Sequence, residues 1–454
     1  MLTMLNRFIS ITYCFISILL LQIAPIAYDQ SFCKLQMIVY ILFALYFNYV
    51  MIKNANVVNF FIFYSIAFLF VTFVHSAFYV WNDDIVHAFV LGYDLDNINK
   101  SVSLAQLGNS AFCLSLFWSI RPNNFVYSFR ISERAIKNYY KLAVFCVLLY
   151  DIYVLLLLKR VNAYTLFYPK LSLLILSVVI FWGVITFFNS NSQKYLVKSY
   201  FIKYIVLVFL FILPYLLLNS RTNLIAIMLF ILFCINTKLY KIKLYQLLMI
   251  LPIALLLMCI VMITRISSVN TSNSSFIEVF LYGIENIGEI GDINQTLLFV
   301  TTDLVANAKN LYDSITYVNG NGPIYGLTYL TFIFSWFPGL SSFIFDQLGM
   351  NVDSVNTSVI LTGFNLADWG LGTHIIGDLY INGKIFAICL GMLLMGYIVR
   401  IGLNGRSLIC LFIYISLLCN ALILPRACGF SFLEIFYMFM WQYFIFRYFK
   451  HIKL

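Results

Sequence analysis

The sequence has few charged residues, and this shortage excludes most soluble protein classes. Charged residues make up 10% of the 454 positions, against roughly 25% in a typical soluble domain. Hydrophobic residues make up 63%, and apolar runs recur from one end of the chain to the other. Each run is long enough to match the hydrocarbon core of a bilayer, which is roughly 30 Å thick. The sequence therefore predicts an all-α, polytopic integral membrane protein.

The cysteines lack the spacing of a metal site or a disulfide framework. The chain has 10 cysteines, most of them inside apolar runs, and no CxxC pair occurs. In that setting cysteine acts as a small hydrophobic residue. We therefore expect no metal and no cofactor.

The apolar runs predict about twelve membrane spans. They lie near 8–27, 36–53, 57–80, 102–120, 142–158, 171–188, 204–219, 222–237, 245–264, 379–399, 407–424 and 430–446. With a cytoplasmic N-terminus, 18 of the 28 Lys and Arg residues fall on the inner side. Positive residues favour the cytoplasmic side, so we expect both termini to be cytoplasmic.

The acidic residues follow the opposite distribution. In this topology, 15 of the 18 Asp and Glu residues fall in outer segments. The formal net charge of +10 is thus concentrated on the inner face and reflects topology. It does not indicate a nucleic-acid partner.

One outer segment is much longer than the others. Residues 265–378 form a 114-residue connection, too long for a passive turn. The predicted organisation is an N-terminal membrane bundle (1–264), a large and partly helical outer loop (265–378) and C-terminal membrane helices (379–454). Within the loop, stretches 276–290 and 295–318 look helical. The stretch 324–345 predicts a re-entrant or interfacial segment, with a further pair of spans as the alternative.

Four arginines lie near the outer ends of predicted spans, where they are candidate ligands for an anionic group. They are Arg160, Arg221, Arg265 and Arg426. A guanidinium can hold a phosphate or diphosphate with two parallel hydrogen bonds. The alternative is that each extends to the membrane interface without binding a ligand.

The stretch "WGLGTHIIGDLYINGKIF" carries a titratable pair where the long loop re-enters the bilayer. His374 and Asp378 are four residues apart, so they share a face if a helix begins there. A neutral histidine can act as a general base, and a cationic one can bind phosphate. The alternative is a structural histidine bonded to Asp378. Two further acids, Asp151 and Glu434, lie inside spans, where ionisable groups are costly.

Three stretches resemble bacterial O-antigen polymerases (Wzy-type oligosaccharide repeat unit polymerases) and the related O-antigen ligases. "NSRTNLIAIMLFILF" (219–233) is similar to a Ser-Arg motif at the head of a span. "GLGTHIIGDLYINGKIFAI" (370–388) is similar to the segment closing their large periplasmic loop, with a glycine nine residues after His374. "NGPIYGLTYLTFIFSWFPG" (321–339) is similar to their Gly-x-Thr-Tyr region.

The resemblance implies a GT-C-like glycosyltransferase at the periplasmic face of the bacterial inner membrane. It would transfer a growing glycan from undecaprenyl diphosphate to a repeat unit on another lipid carrier, with a chain-length regulator protein as a candidate partner. Arg221 and Arg265 would contact the diphosphate, and Arg160 and Arg426 are further candidates. His374 would act as base or phosphate ligand, and Asp378 would orient His374 or contact a sugar hydroxyl.

The sequence departs from the family pattern in two places, and other functions stay open. Between 265 and 378 the only basic residues are Arg265 and Lys309, fewer than in some family members, and Asp378 stands where the polymerases would have Glu. An O-antigen ligase shares the same motifs. A lipid-linked oligosaccharide flippase also has about twelve spans, but it should show two similar halves, and no internal repeat is visible in the sequence.

Overall fold

The computed structural model describes residues 2–81, 89, 91–120, 131–158, 169–188, 194–217, 222–247, 249, 304–337, 339–367 and 370–449. Throughout these ranges the chain forms helices joined by turns, and none of the described residues is in a strand. The predicted all-α class is confirmed.

The described residues form a succession of helices, numbered in chain order. They are α1 Leu2–Gln22, α2 Gln30–Asn54, α3 Phe60–Phe78, α4 Asn97–Phe117, α5 Glu133–Leu158, α6 Pro169–Phe187, α7 Lys194–Leu217, α8 Thr222–Cys234, α9 Asn307–Asn321, α10 Leu327–Phe334, α11 Leu340–Gln347, α12 Thr357–Phe364, α13 Ile375–Asn404, α14 Leu408–Cys419 and α15 Phe432–Phe449. Short 3-10 turns occupy Val352–Val355 and Leu424–Arg426.

Helices occur at eleven of the twelve predicted spans, and the twelfth, 245–264, lies almost wholly outside the described residues. Four of the described helices are long and apolar enough to cross a membrane by themselves: Met4–Gln22, Gln30–Asn54, Phe60–Phe78 and Ile375–Asn404. Shorter apolar helices occupy Leu171–Phe187, Tyr200–Ile212, Asn223–Leu239 and Leu408–Cys419. A helical membrane protein is therefore supported, while the number of spans and their orientation stay predictions.

The chain packs into two units. The first contains residues 1–123, 292–404 and 420–434, and the second contains 124–291, 405–419 and 435–454. These units cut across the three sequence domains, which were defined by membrane topology and not by packing. In the second unit, α5, α6 and α7 pack against one another, with the fully buried Trp182 stacked on Tyr204.

The centre of the first unit is α4, which is buried on almost every side. It packs against α1 and, over a longer stretch, against α13. Small residues allow the close approach of α4 and α13. A Cβ atom at Gly396 would collide with the carbonyl oxygen of Phe112 and lie 3.1 Å from the backbone nitrogen of Leu116. This contact fixes α13 against the core of the unit.

Helix α3 is interrupted by a π-helical turn. Regular α-helix over Phe60–Leu69 gives way to a π-turn at Phe70–Val74 and resumes at His75–Phe78. Such turns add a residue to the helix and change the direction of nearby side chains. In this helix the turn includes Thr72, which is fully buried.

The region before α13 is built from short helices. Helices α10, α11 and α12 have eight residues each, so each is about 12 Å long. That length is well short of a bilayer core. Helices of this length give no support to the alternative of a further pair of membrane spans over 324–345, and a re-entrant or interfacial segment stays the prediction.

Helix α13 is divided by a sharp break. The backbone leaves the helical region at Gly383 and Lys384, and Lys384 adopts a left-handed φ of 54°. The chain preceding α10 binds at this break, because the Ile324 amide donates to the carbonyl of Ile381 at 2.9 Å. The break thus places α10 beside the first half of α13.

Candidate functional site

A buried carboxylate lies in the first turn of α13. Asp378 is completely buried. Its Oδ1 accepts a hydrogen bond from the Thr357 hydroxyl at 2.5 Å, and its Oδ2 accepts one from the Gly429 amide at 3.0 Å. A carboxylate near a helix N-terminus is also favoured by the helix dipole. These contacts gather α12, α13 and the 420–434 segment around one acid.

Two further polar side chains complete what we name the Asp378 cluster: Asp378, Thr357, Gly429, Asn382 and Tyr329. The Asn382 amide donates to the backbone carbonyl of Asp378 at 2.8 Å, and its Oδ1, although buried, has no partner among the described residues. The Tyr329 hydroxyl points towards Asp378 and Asn382, but its geometry to neither is that of a formed hydrogen bond. The cluster therefore retains unused hydrogen-bonding capacity around a carboxylate.

His374 caps the same helix. Its Nδ1 accepts a hydrogen bond from the backbone amide of Ile376 at 3.1 Å, satisfying one of the free N–H groups at the start of α13. Because Nδ1 is an acceptor, the ring proton is assigned to Nε2. Nε2 lies 3.1 Å from the hydroxyl of Thr72 in the π-turn of α3 and donates to it. The ring is completely buried.

His374 and Asp378 lie at the start of a helix, as their spacing predicted, but their side chains bond to different partners. The expected bond between them, through which Asp378 would orient His374, is therefore not what the structure shows. The Asp378 amide donates to the His374 carbonyl at 2.8 Å, so their backbones are joined as the four-residue spacing required. The imidazole bonds to Thr72 and Ile376, whereas the carboxylate bonds to Thr357 and Gly429. Both ring nitrogens of His374 have hydrogen-bond partners. Beside Asp378, in contrast, Asn382 and Tyr329 each carry a polar atom without a partner among the described residues.

A second polar cluster lies on α9. The Lys309 ammonium contacts the Asp313 carboxylate at 2.5 Å, and both side chains are buried. Lys309 also donates to Asn365 Oδ1, and the Asn365 amide returns a bond to Asp313 at 2.9 Å. Burial raises the pKa of Asp313 above its ordinary value, and Lys309 and Asn365 oppose that rise. Each partner satisfies the others, so this Lys309 cluster (Lys309, Asp313 and Asn365) acts as a brace.

Helix α12 connects the two clusters. Its first residue, Thr357, bonds to Asp378, and Asn365, which caps its C-terminal end, bonds to Asp313. Helix α9 in turn packs closely on α13, because Gly377 leaves room for Ser314: a Cβ at Gly377 would lie 2.5 Å from the Ser314 hydroxyl. The Lys309 cluster therefore holds α12 in the position in which Thr357 bonds to Asp378.

Of the four candidate arginines, only Arg426 lies within the described residues. Arg160, Arg221 and Arg265 lie outside the described residues. Arg426 ends the 3-10 turn Leu424–Arg426, three residues before Gly429, and is half-buried. Arg426 is thus the candidate arginine that lies close in sequence to Gly429 of the Asp378 cluster.

Asp151 and Glu434 are the two other acids that the sequence placed inside predicted spans. Asp151 lies on α5, and its Oδ1 is a buried atom without a hydrogen-bond partner in the described part of the chain. Glu434 lies in the first turn of α15, and the loop stretch 276–290 with its glutamates is outside the described residues. Among the described residues, no group of three or more His, Cys, Asp or Glu side chains could hold a metal ion.

Comparison with known proteins identifies no relative of this chain. No protein-family model matches the chain, and neither the curated proteins nor the solved structures give a significant match. The site must therefore be interpreted from its own chemistry.

Proposed function

We propose that this chain is a membrane glycosyltransferase that polymerises undecaprenyl-diphosphate-linked oligosaccharide repeat units at the periplasmic face of the inner membrane. One observation carries the proposal: two of the three stretches that resemble O-antigen polymerases meet at Asp378. Stretch 321–339 supplies Ile324 and Tyr329, and stretch 370–388 supplies Asp378, Ile381 and Asn382. The third stretch, 219–233, carries Arg221, which lies outside the described residues, and its remainder from residue 222 onwards lies in α8.

The chemistry requires a proton acceptor, and Asp378 is suited to that role. The acceptor sugar hydroxyl attacks the anomeric carbon of the donor glycan, a new C–O bond forms, and the bond to undecaprenyl diphosphate breaks. The hydroxyl proton passes to the Asp378 carboxylate, whose position is fixed by Thr357 and Gly429. Asn382 and Tyr329 offer further hydrogen bonds to sugar hydroxyls.

His374 has a positioning role in this proposal. Its ring bonds hold the start of α13 against Thr72 of α3, which fixes the backbone that carries Asp378. The leaving diphosphate is anionic and needs positioned cations. Arg221 and Arg265 stay the proposed contacts for it, with Arg160 and Arg426 as additional candidates.

Asp378 is buried, so substrate binding requires a movement. Tyr329 of α10 lies next to Asp378 and Asn382, and α10 is capped by Gly326 and Ser335 at its two ends. Displacement of α10 would expose Asp378 while Thr357 and Gly429 hold it in place. Closure after binding would then exclude water from the reaction.

A cell-based experiment tests the proposal and separates it from the alternatives. Deletion of the gene should leave surface lipid carrying a single repeat unit, and the wild-type gene should restore the full ladder. Asp378→Asn should fail to restore it at equal expression, whereas Asp346→Asn, which removes an exposed carboxylate on α11, should succeed. Loss of all surface glycan on deletion would instead indicate a ligase or a flippase.

A further inference from the structure

The segment containing α10 and α11 (residues 325–348) presents an apolar surface. Large apolar side chains are exposed on both helices and on the turn between them. They include Tyr325 (83% exposed), Ile333 (49%), Trp336 (48%), Phe337 (48%), Phe343 (60%) and Leu348 (59%). A group of exposed apolar side chains along one segment marks a membrane or protein contact. Trp and Tyr, present here as Trp336 and Tyr325, are concentrated where membranes meet water.

The charge of this region restricts what can cover it. No Lys or Arg occurs between Lys309 and Lys384, while Asp346 is an exposed acid on α11. Basic residues are what attract a segment to anionic lipids, and the sequence has none in this region. The apolar surface therefore suits the headgroup–acyl boundary of neutral lipids.

The contact with α13 fixes the depth of the segment. The Ile324 amide bonds to the Ile381 carbonyl, directly before the break at Gly383 and Lys384. Beyond the break, residues 385–404 form a helix about 30 Å long at 1.5 Å per residue, enough to cross a bilayer core. The α10–α11 segment therefore begins at the same depth as the start of the helix 385–404, which is long enough to cross the bilayer core.

The apolar surface also continues along α13. The exposed side chains of its second half include Ile385, Phe386, Leu390, Leu394 and Tyr397. They recur at helical spacing, as expected for a helix face in contact with lipid. The stripe begins just after the break at Gly383 and Lys384, so the exposed face of α13 starts close to the point where Ile324 is bonded.

We infer that the α10–α11 segment is embedded in the membrane interface, with Ile333, Trp336, Phe337 and Phe343 among the lipids of one leaflet. This inference does not depend on the proposed activity. It places Tyr329, on the same helix, between lipid and the Asp378 cluster. A lipid-anchored molecule that diffuses in that leaflet thus reaches the cluster without leaving the membrane.

Depth-dependent fluorescence quenching tests the inference. The full-length protein is reconstituted in phosphatidylcholine vesicles whose acyl chains carry bromine close to the headgroup. The emission of Trp336 is obtained by subtracting that of Trp336→Phe from that of the wild type, and Trp182→Phe gives the reference for a buried tryptophan. We expect bromolipid to quench the Trp336 signal more than the Trp182 signal, and aqueous acrylamide to quench it weakly.

Two results would overturn the inference. Strong acrylamide quenching without a bromolipid effect would place Trp336 in water, and protection from both quenchers would place it under protein, such as a second copy of the chain. A Phe343→Trp variant repeats the measurement at a second position. Addition of phosphatidylglycerol or high salt should leave the quenching unchanged, and a salt-dependent signal would contradict the assignment to neutral lipids.

Discussion

At the scale of single residues, His374 and Asp378 have different surroundings. Both are completely buried at the start of α13, but the imidazole is held by Thr72 and a backbone amide. The carboxylate has Asn382 and Tyr329 beside it with unused hydrogen-bonding capacity. A general base needs substrate hydroxyls to be held beside it, and Asn382 Oδ1 and the Tyr329 hydroxyl beside Asp378 are free to accept or donate such bonds among the described residues.

Replacement of His374 by glutamine separates a positioning role from catalysis. Glutamine retains a donor for Thr72 and an acceptor for the Ile376 amide, so we expect His374→Gln to keep most of the proposed polymerising activity. His374→Ala loses both bonds and should lower the free energy of unfolding by about 1–3 kcal/mol. Thermal unfolding in detergent and the glycan ladder measure the two effects. A folded His374→Gln protein without activity would make the imidazole itself catalytic.

The Lys309 cluster allows a test of its bracing role. Lys309→Met leaves Asp313 as a buried charge without its main partner, which should cost about 3–5 kcal/mol of stability. The double variant Lys309→Met/Asp313→Leu removes both charges, so we expect it to be more stable than Lys309→Met alone. Unfolding midpoints of the single and double variants give the coupling energy. Additive losses would show that the two side chains do not depend on each other.

At the scale of elements, the close contact of α4 with α13 holds the site in place. The limiting contact at Gly396 is with backbone atoms of α4, which cannot turn aside as a side chain would. Before the break, α13 carries Asp378 and Asn382, and there Gly108 of α4 leaves room for Ile376: a Cβ at Gly108 would lie 2.6 Å from Ile376 Cδ1.

A glycine pair tests this contact. Gly396→Ala should force α4 and α13 apart and lower stability by about 1–3 kcal/mol. Gly320→Ala is the matched control, because a Cβ at Gly320 would meet nothing within 4 Å and alanine favours the helix. Melting temperatures of the two variants provide the comparison. Equal stability of the two would mean that the helices are not in contact at Gly396.

The helices were largely predictable from the sequence, whereas the cluster was not. Apolar runs of membrane length determine helices locally, and eleven of the twelve coincide with observed ones. The position of His374 and Asp378 followed from their four-residue spacing. Thr357 could not be found this way, because its bond to Asp378 joins residues 21 apart through a tertiary contact. The ion pair of Lys309 and Asp313 could have been predicted, because the two residues stand four apart in a region almost without basic residues.

The break in α13 and the π-turn in α3 were also missed. The "NGK" sequence at 382–384 contains a glycine that can mark a helix break, but the hydropathy of the run continues across it. The π-turn at Phe70–Val74 lies within a uniformly apolar stretch, so no local pattern distinguishes it. Both features involve the site, since one positions Thr72 and the other receives Ile324.

At the scale of the whole molecule, the topology predicted from charge can be checked directly. Both termini are expected in the cytoplasm, and the turn at Gly349 between α11 and α12 is expected in the periplasm. A membrane-impermeant maleimide added to intact cells should label Gly349→Cys above the level of the wild type. Reporter fusions at each terminus should show cytoplasmic locations. Labelling of Gly349→Cys only after cell lysis would reverse the orientation and remove the basis for a periplasmic reaction.

The central claim is that this chain itself elongates lipid-linked glycans, and a reconstituted reaction tests it most directly. Purified full-length protein in vesicles is supplied with undecaprenyl-diphosphate-linked repeat units and no ion gradient. We predict a ladder of elongated glycans with the wild type and with Asp346→Asn, and a rate about 10²–10⁴-fold lower with Asp378→Asn. Repeat units that stay unextended by the folded wild-type protein, or a full ladder from Asp378→Asn, would contradict this claim.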